Sequence, residues 1–152
     1  MNILAIDPGT HCGWAVADSV GNYLSGVWDL SSSRFSGGGM RYLRFKNLFR
    51  EAIEKAVVDL VVFEEVRGHK GTDAAHVYGG IIAILTAFCE ERQIPYQGIP
   101  VGTVKKCATG KGNAGKDLMI KAAKRKWPEY RFQDDNEVDA RWILETYLKE
   151  KP

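Results

Sequence analysis

Cysteine is scarce in this sequence and forms no metal-binding pattern. The three cysteines, Cys12, Cys89 and Cys107, are widely spaced and include no Cys-x-x-Cys pair. An odd number at this spacing indicates neither a disulfide framework nor a zinc knuckle. The sequence also opens without a basic and then apolar leader. We therefore expect a cytoplasmic protein with reduced thiols.

Long apolar runs and a large net charge are missing as well. No run approaches the roughly 18 to 20 apolar residues that a bilayer requires, so we expect no membrane association. The chain has 21 basic and 19 acidic residues, and a net charge of +2 does not by itself indicate nucleic-acid binding. Its 152 residues are 45% hydrophobic, which is typical of a globular protein. We expect one domain over residues 1–152.

The spacing of apolar residues predicts a mixed α/β fold. Three short segments joined by turns predict an antiparallel meander, at residues 1–7, 11–18 and 22–30. Two further strands are predicted at 59–65 and 95–101, and helices at 40–55, 73–93 and 135–150. The region 104–126 is basic and mostly helical, with a glycine-rich turn at 110–115. Thr72 or Asp73 is expected to cap the second helix, and Gly79 and Gly80 to allow close approach of another backbone.

Four acidic residues stand at the ends of predicted core elements. Asp7 ends the first strand and Glu64 ends the apolar strand 59–65, while Asp135 and Asp139 lie four residues apart on the last helix. A carboxylate at the end of an apolar strand is costly unless it is paired or binds a metal. If the first and fourth strands are neighbours, these acids converge. Converging carboxylates favour Mg²⁺ or Mn²⁺.

Structural roles for the same acids remain open on spacing alone. Asp7 could cap the turn at Pro8, and Asp135 could cap the last helix. Glu65 is adjacent to Glu64 and is expected to point to the opposite face of the sheet. A metal site and a set of unrelated caps are both compatible with the pattern.

Positive charge is concentrated in one segment. Residues 105–131 contain nine basic side chains against two acidic ones, a local charge of +7 that suits binding to a phosphate backbone. We expect DNA contacts from four lysines of this segment, Lys105, Lys106, Lys111 and Lys116. We expect further contacts from the loop after Glu64, through Arg67, His69 and Lys70. The run GKGNAGK (110–116) imitates a nucleotide-binding loop, but Asp117 stands where that loop needs a hydroxyl. We expect no nucleotide cofactor.

Three blocks in this order resemble the RuvC family of Holliday junction resolvases. They are IDPGT (6–10), VVFEEV (61–66) and DDNEVDA (134–140). The family belongs to the ribonuclease-H-like superfamily of metal-dependent nucleases. The resemblance implies a five-stranded mixed sheet, with three antiparallel strands and then parallel strands, and helices on both faces. The short chain is more similar to phage-type members than to housekeeping bacterial ones.

The resemblance also implies roles for individual residues. Asp7 matches the acid that bridges two metal ions, Glu64 the second acid and Asp139 the last acid. The family commonly has an acid or histidine three residues before the last aspartate, where this chain has Asn136. We favour Asp135 as the fourth site residue, with Asn136 and Glu137 as alternatives. Lys105 and Lys116 match basic residues that contact DNA, and Lys116 is expected to assist catalysis.

The implied function is that of a crossover junction endodeoxyribonuclease. It would use two Mg²⁺ or Mn²⁺ ions, leave 5′-phosphate ends and act on branched DNA as a homodimer through the helix 73–93. The family places an aromatic wedge in the loop after the second acid, where this chain has only His69. Three alternatives remain: an RNA-processing nuclease of the YqgF type, a non-catalytic nucleic-acid-binding protein with a decayed site, and an actin-like or sugar-kinase-like ATPase fragment.

Overall fold

A computed structural model describes residues 1–151 of the chain. The strands are β1 (Ile3–Asp7), β2 (His11–Ala17), β3 (Tyr23–Asp29), β4 (Leu60–Glu65) and β5 (Tyr96–Pro100). The helices are α1 (Met40–Ala56), α2 (Thr72–Arg92), α3 (Val101–Thr109), α4 (Lys116–Lys126) and α5 (Asp135–Glu150). Every predicted strand and helix is present, and α3 begins at the end of β5, three residues before the predicted start of the basic helical region.

The five strands form one sheet in the order β3-β2-β1-β4-β5. β1 pairs antiparallel with β2 and parallel with β4, while β5 is parallel to β4 at the far edge. The predicted five-stranded mixed sheet of the ribonuclease-H-like fold is therefore confirmed. The condition for convergence of the acids is also met, because the first and fourth strands are neighbours.

Alternating side chains of β1 and β4 divide the core into two layers. Ile3, Ala5, Leu60 and Val62 pack on one face with residues of α3, α4 and α5. The intervening residues of both strands pack on the other face, against α1 and α2. The alternation of a strand thus assigns each side chain near the strand ends to a definite face of the sheet.

The predicted cap of α2 is wrong, and the capping role in α5 that the sequence leaves open for Asp135 belongs to its neighbour. Gly71 is the N-cap of α2 and makes no side-chain hydrogen bond, so neither Thr72 nor Asp73 caps that helix. Asp134, rather than Asp135, caps α5, because its carboxylate accepts hydrogen bonds from the backbone N–H groups of residues 136 and 137. The structural alternative for Asp135 is thereby removed.

The paired glycines of α2 also differ from expectation. A side chain at Gly80 would collide with the ring of Tyr42 on α1, so the close approach comes from an aromatic side chain and not from a backbone. Gly79 faces open space within this chain, with no heavy atom within 4 Å of an added Cβ. Only one of the two glycines is explained by packing within the chain.

α2 is more apolar than the sequence pattern suggested. It is the one helix in residues 1–151 whose length and composition would allow it to cross a membrane, with 21 residues and a mean hydropathy of 1.3 over 18 of them. The expectation that no such stretch exists is therefore wrong, although this finding concerns length and composition only. Of that window 28% is fully buried, and its large apolar side chains are all at least half-buried within the chain.

Candidate functional site: an acidic cluster at the sheet edge

Two acidic residues end neighbouring parallel strands. Ile6 of β1 lies opposite Phe63 of β4, so the following residues, Asp7 and Glu64, stand side by side at the carboxyl edge of the sheet. Both side chains continue the alternation that faces α5. Glu65 is on the opposite face, where Arg67 Nε lies 3.6 Å from its carboxylate. The geometry thus separates Glu64 from Glu65.

The first turns of α5 lie directly against the sheet because β2 has a glycine there. A Cβ added at Gly13 would stand only 2.6 Å from the carbonyl carbon of Asn136 and 3.2 Å from Cβ of Ala140. Gly13 is also the β2 partner of Asp7. The absence of a side chain at this one position lets α5 bring its acidic residues over the end of β1. Sequence reasoning missed Gly13, whose role depends on a helix far away in the chain.

Burial raises the pKa values of Asp7, Glu64 and Asp139, and repulsion from neighbouring carboxylates adds to the rise for Asp7 and Asp139. The pKa of Asp7 is raised well above its usual value, first by burial and then by the charges of Asp139, Glu64 and Asp135. The pKa of Asp139 is raised to about 7, again mainly by burial and then by Glu64 and Asp135. Burial also raises the pKa of Glu64, against the opposing effect of Lys105. Four carboxyl groups therefore share one strongly electronegative site.

The first turn of α5 shows which of its polar residues faces this cluster. The side-chain amide of Asn136 donates to the capping carboxylate of Asp134 at 3.2 Å. Glu137 is buried and accepts hydrogen bonds from Ser25 Oγ, Tyr130 Oη and the Gln133 backbone N–H, at 2.8, 2.9 and 2.6 Å. Both alternatives to Asp135 are thus occupied by structural hydrogen bonds. Asp135 remains as the residue whose charge acts on Asp7 and Asp139.

Two lysines accompany the acids. Lys116 Nζ lies 2.8 Å from a carboxylate oxygen of Asp135 at the start of α4. This pairing raises the pKa of Lys116, and its charge lowers that of Asp139. Lys105 of α3 acts electrostatically on both Glu64 and Asp139. The structure therefore brings two of the predicted DNA-binding lysines to the rim of the cluster.

The other predicted basic residues are placed differently. Lys106 lines a groove beside the C-terminal end of α5, together with Cys107 and Lys149. Arg67 and Lys70 are exposed in the loop after β4, and Lys111 is exposed in the turn between α3 and α4. These four side chains are accessible, but their charges are not among the causes that shift the pKa values of Asp7, Glu64 and Asp139.

The loop after β4 is held by a tyrosine that sequence reasoning missed. Tyr78 Oη donates to the carbonyl oxygen of Glu64 at 2.9 Å and accepts from the Val66 N–H at 3.0 Å. The ring of His69 lies 4.9 Å from that of Tyr78, and His69 Nε2 is buried without a hydrogen-bond partner. Tyr78 thus ties the backbone beside Glu64 to α2 and supports the one ring in this loop.

The donor chemistry of the cluster suits a hard divalent cation. All four acidic residues offer oxygen ligands, and a cation would relieve the repulsion that helps to raise the pKa values of Asp7 and Asp139. In the part of the chain that the structure describes, no three acidic, histidine or cysteine side chains stand in a ready-made metal-binding arrangement. One of the four carboxylates, that of Asp135, instead contacts Lys116.

No protein-family model and no curated protein sequence matches this chain. Among solved structures, Thermus thermophilus RuvC in complex with Holliday junction substrate is similar, with a TM-score of 0.77 and 19% identity over 97% of this chain and 93% of that one. A second structure, described as T. thermophilus RuvC, is similar with a TM-score of 0.75 and 19% identity over 98% of this chain and 96% of that one. The yeast mitochondrial Holliday junction resolvase Ydc2 is similar with a TM-score of 0.64 and 14% identity over 97% of this chain and 77% of that one. The chain therefore has the ribonuclease-H-like fold that is also found in the RuvC Holliday junction resolvases.

Proposed function

We propose that this chain is a metal-dependent, structure-selective endonuclease that cleaves Holliday junctions and other branched DNA. The observation that carries the proposal is the convergence of Asp7, Glu64, Asp135 and Asp139 at one edge of the sheet, with Lys105 and Lys116 beside them. The likeness in fold to structures described as Holliday junction resolvases supports the choice of substrate.

The four acids would hold the metal, and Mg²⁺ or Mn²⁺ fits their oxygen donors. When bound, two such ions would supply an activated water and charge neutralisation at the scissile phosphate. Asp7 is placed centrally, since the charges of the other three acids all act on it. The expected products carry 5′-phosphate and 3′-hydroxyl ends.

The two lysines would contact the DNA phosphate and would not bind the metal. Lys116 is exposed and paired with Asp135 at the surface, so its ammonium group can turn toward an incoming DNA backbone. Lys105 lies close enough for its charge to oppose the rise in the pKa of Glu64 that burial causes. A positive charge at this rim stabilises the negative charge that develops in phosphodiester hydrolysis. Arg67, His69, Lys70, Lys106 and Lys111 would extend the DNA-binding surface.

A homodimer formed through α2 would place two sites on one junction. One side of α2 is exposed within the chain at Gly79, Ala83 and Ala87, and Gly79 faces open space there. An isologous dimer would bury this surface and relate the two acidic clusters by a two-fold axis, which suits symmetric nicks across a four-way junction. We propose that residues 1–152 act as one such nuclease domain in the cytoplasm.

The test is a cleavage assay on matched end-labelled substrates. A four-way junction, a fork, a linear DNA duplex and a structured RNA are incubated with the protein and Mg²⁺ or Mn²⁺. We expect nicking of the branched DNA only, near the branch point, with 5′-phosphate ends. Preferential cutting of the RNA would establish the RNA-processing alternative instead. Tight junction binding without cutting of any substrate would support a non-catalytic binding protein.

A further inference from the structure

A groove of about 530 Å³ opens beside the acidic cluster on the α5 side of the sheet. It lies between the end of α4, the segment 127–134 and the first turns of α5. Ile120 and Val138 line its apolar floor, and Tyr130 and Phe132 line its wall. Asp134 and Asp135 also line the groove; the carboxylate of Asp134 accepts hydrogen bonds from the backbone of α5, and Asp135 belongs to both the groove and the acidic cluster.

The wall of this groove is a rigid aromatic surface. Tyr130 is 41% exposed, although its hydroxyl donates to the buried Glu137 carboxylate at 2.9 Å and lies 3.0 Å from Ser25 Oγ. Its ring centroid is 4.6 Å from that of Phe132, which packs in turn against Trp127 at 5.9 Å. Fixing the hydroxyl end orders the ring while leaving part of it open to a ligand, which lowers the entropy lost on binding.

The rim of the groove carries two exposed cations. Lys124 of α4 and Arg131 of the following segment both line it. Neither takes part in a salt bridge among the described residues 1–151. A half-exposed ring in a groove that two cations without a salt bridge also line suits a ligand that combines a planar aromatic group with an anion. A nucleotide has both, because its base offers a π-face and its backbone carries a phosphate.

We propose that this groove binds one unstacked nucleotide of the branched DNA, next to the phosphate that is cut. The base stacks on Tyr130, and Lys124 and Arg131 contact the backbone phosphates on either side of it. This inference rests on the proposed nuclease function and adds a substrate feature to it. A base at a branch point is already partly unstacked, so it enters such a groove at lower cost than a base within a duplex. The groove would thereby favour branched over linear DNA.

The test is a double-mutant cycle between the groove and single bases of the substrate. Junction affinity is measured with Ca²⁺ in place of Mg²⁺, so that binding is read without cleavage. Each nucleotide near the branch point is replaced in turn by an abasic site. At one position the wild-type chain is expected to lose about tenfold in affinity, within the range for loss of one base–aromatic stack. Tyr130→Ala is expected to bind the intact junction about tenfold more weakly than the wild type does, and to bind the abasic junction no more weakly than the intact one.

Two further variants separate stacking from folding. Tyr130→Phe keeps the ring without its hydroxyl bonds, so it retains the abasic effect even where it lowers stability. Lys124→Ala weakens binding and reduces the slope of log affinity against log salt by about one phosphate contact. Lys46→Ala on α1, on the other face of the sheet, leaves both the affinity and this slope unchanged.

The outcomes distinguish the groove from the nuclease proposal. The groove is supported as a nucleotide site if one abasic position weakens binding by the wild type and by Tyr130→Phe but has no effect on binding by Tyr130→Ala. Junction binding in which every abasic position acts independently of Tyr130 overturns this inference and leaves the nuclease proposal standing. A wild-type chain that does not bind branched DNA overturns both.

Discussion

Lys116 Nζ lies 2.8 Å from the carboxylate of Asp135, at the point where α4 and α5 both begin. The pair joins the basic segment of the chain to its acidic cluster. Because Lys116 is exposed, the ion pair itself contributes little to stability. Its significance is positional, since it sets a mobile positive charge at the rim of a site that is otherwise strongly negative.

Replacing Lys116 should therefore affect turnover more than folding. For Lys116→Ala we expect about a 100-fold loss in the rate of junction cleavage, the order found when one stabilising donor is removed from a developing negative charge. The melting temperature should change little. Single-turnover cleavage at saturating enzyme measures the effect, with Lys46→Ala as the control. Equal rates for Lys116→Ala and the wild type would remove this lysine from the catalytic site.

Neutralising Asp139 should stabilise the metal-free protein at alkaline pH. Its pKa is raised to about 7 in the fold, so the folded state holds this proton more tightly than the unfolded chain does. The associated stability is complete below pH ~4 and is lost as the pH rises through about 7. Asp139→Asn should thus melt several degrees above the wild type at pH 8 in EDTA and level with it at pH 4.

Two controls accompany that measurement. Glu129→Gln, at an exposed position, should show no such pH dependence. Added Mg²⁺ should raise the melting temperature of the wild type at pH 8 and not that of Asp139→Asn, because the proposed function makes this carboxylate a ligand of the cation. An Asp139→Asn gain that is the same at pH 4 and pH 8 would contradict the assigned cause, which is repulsion and burial of a charged group.

Glu64 and Glu65 should differ sharply despite being adjacent. Glu64 shares the face of Asp7 and Asp139, whereas Glu65 is on the other face beside Arg67. We expect Glu64→Gln to reduce cleavage by at least about 1000-fold, as for loss of a metal ligand, and Glu65→Gln to stay within about threefold of the wild type. Isothermal titration with Mn²⁺ should show weakened binding for Glu64→Gln alone. The reverse order would reassign the second acid.

Gly13 should be needed for the position of α5. A methyl group there would meet the backbone of Asn136, which has no room to move without lifting the helix from the sheet. Gly13→Ala should cost about 2 kcal/mol or more in the free energy of unfolding, as overpacking does. Gly37→Ala is the matched control, because nothing lies within 4 Å of its added Cβ. Chemical denaturation measures both, and equal stabilities would contradict the close contact.

Much of the fold could be predicted because its signals are local. The continuous apolar run before Glu64 indicates a strand covered on both faces, and the segments from residue 1 to residue 30 alternate as a meander does. The side-by-side placement of Asp7 and Glu64 then required only that β1 and β4 be neighbours, which the sheet order confirms. Short periodic segments and strand ends are the features that one sequence describes best.

The missed features depend on contacts between distant segments. The sequence does not show that Gly13 contacts the backbone of α5, or that Gly80 packs against an aromatic ring of another helix. Tyr78 and Tyr130 look like ordinary aromatics, yet each places its hydroxyl on a group elsewhere in the chain. A capping role for Asp135 had to stay open in the sequence because Asp134 and Asp135 are both good caps in isolation, and the structure assigns the cap to Asp134. The site roles of the acids themselves stay predictions until they are tested.

The most direct test of the account is the effect of Asp7→Asn on cleavage and binding of a four-way junction. Asp7 has the other three acids around it, so its loss should abolish metal-dependent chemistry while leaving the DNA-binding surface intact. Asp18→Asn, in the turn at the opposite end of β2, is the control. The account predicts that Asp7→Asn loses cleavage with Mg²⁺ or Mn²⁺ by at least about 1000-fold and keeps the wild-type junction affinity. Cleavage by Asp7→Asn at the wild-type rate would contradict the central claim that this acidic cluster is the active site.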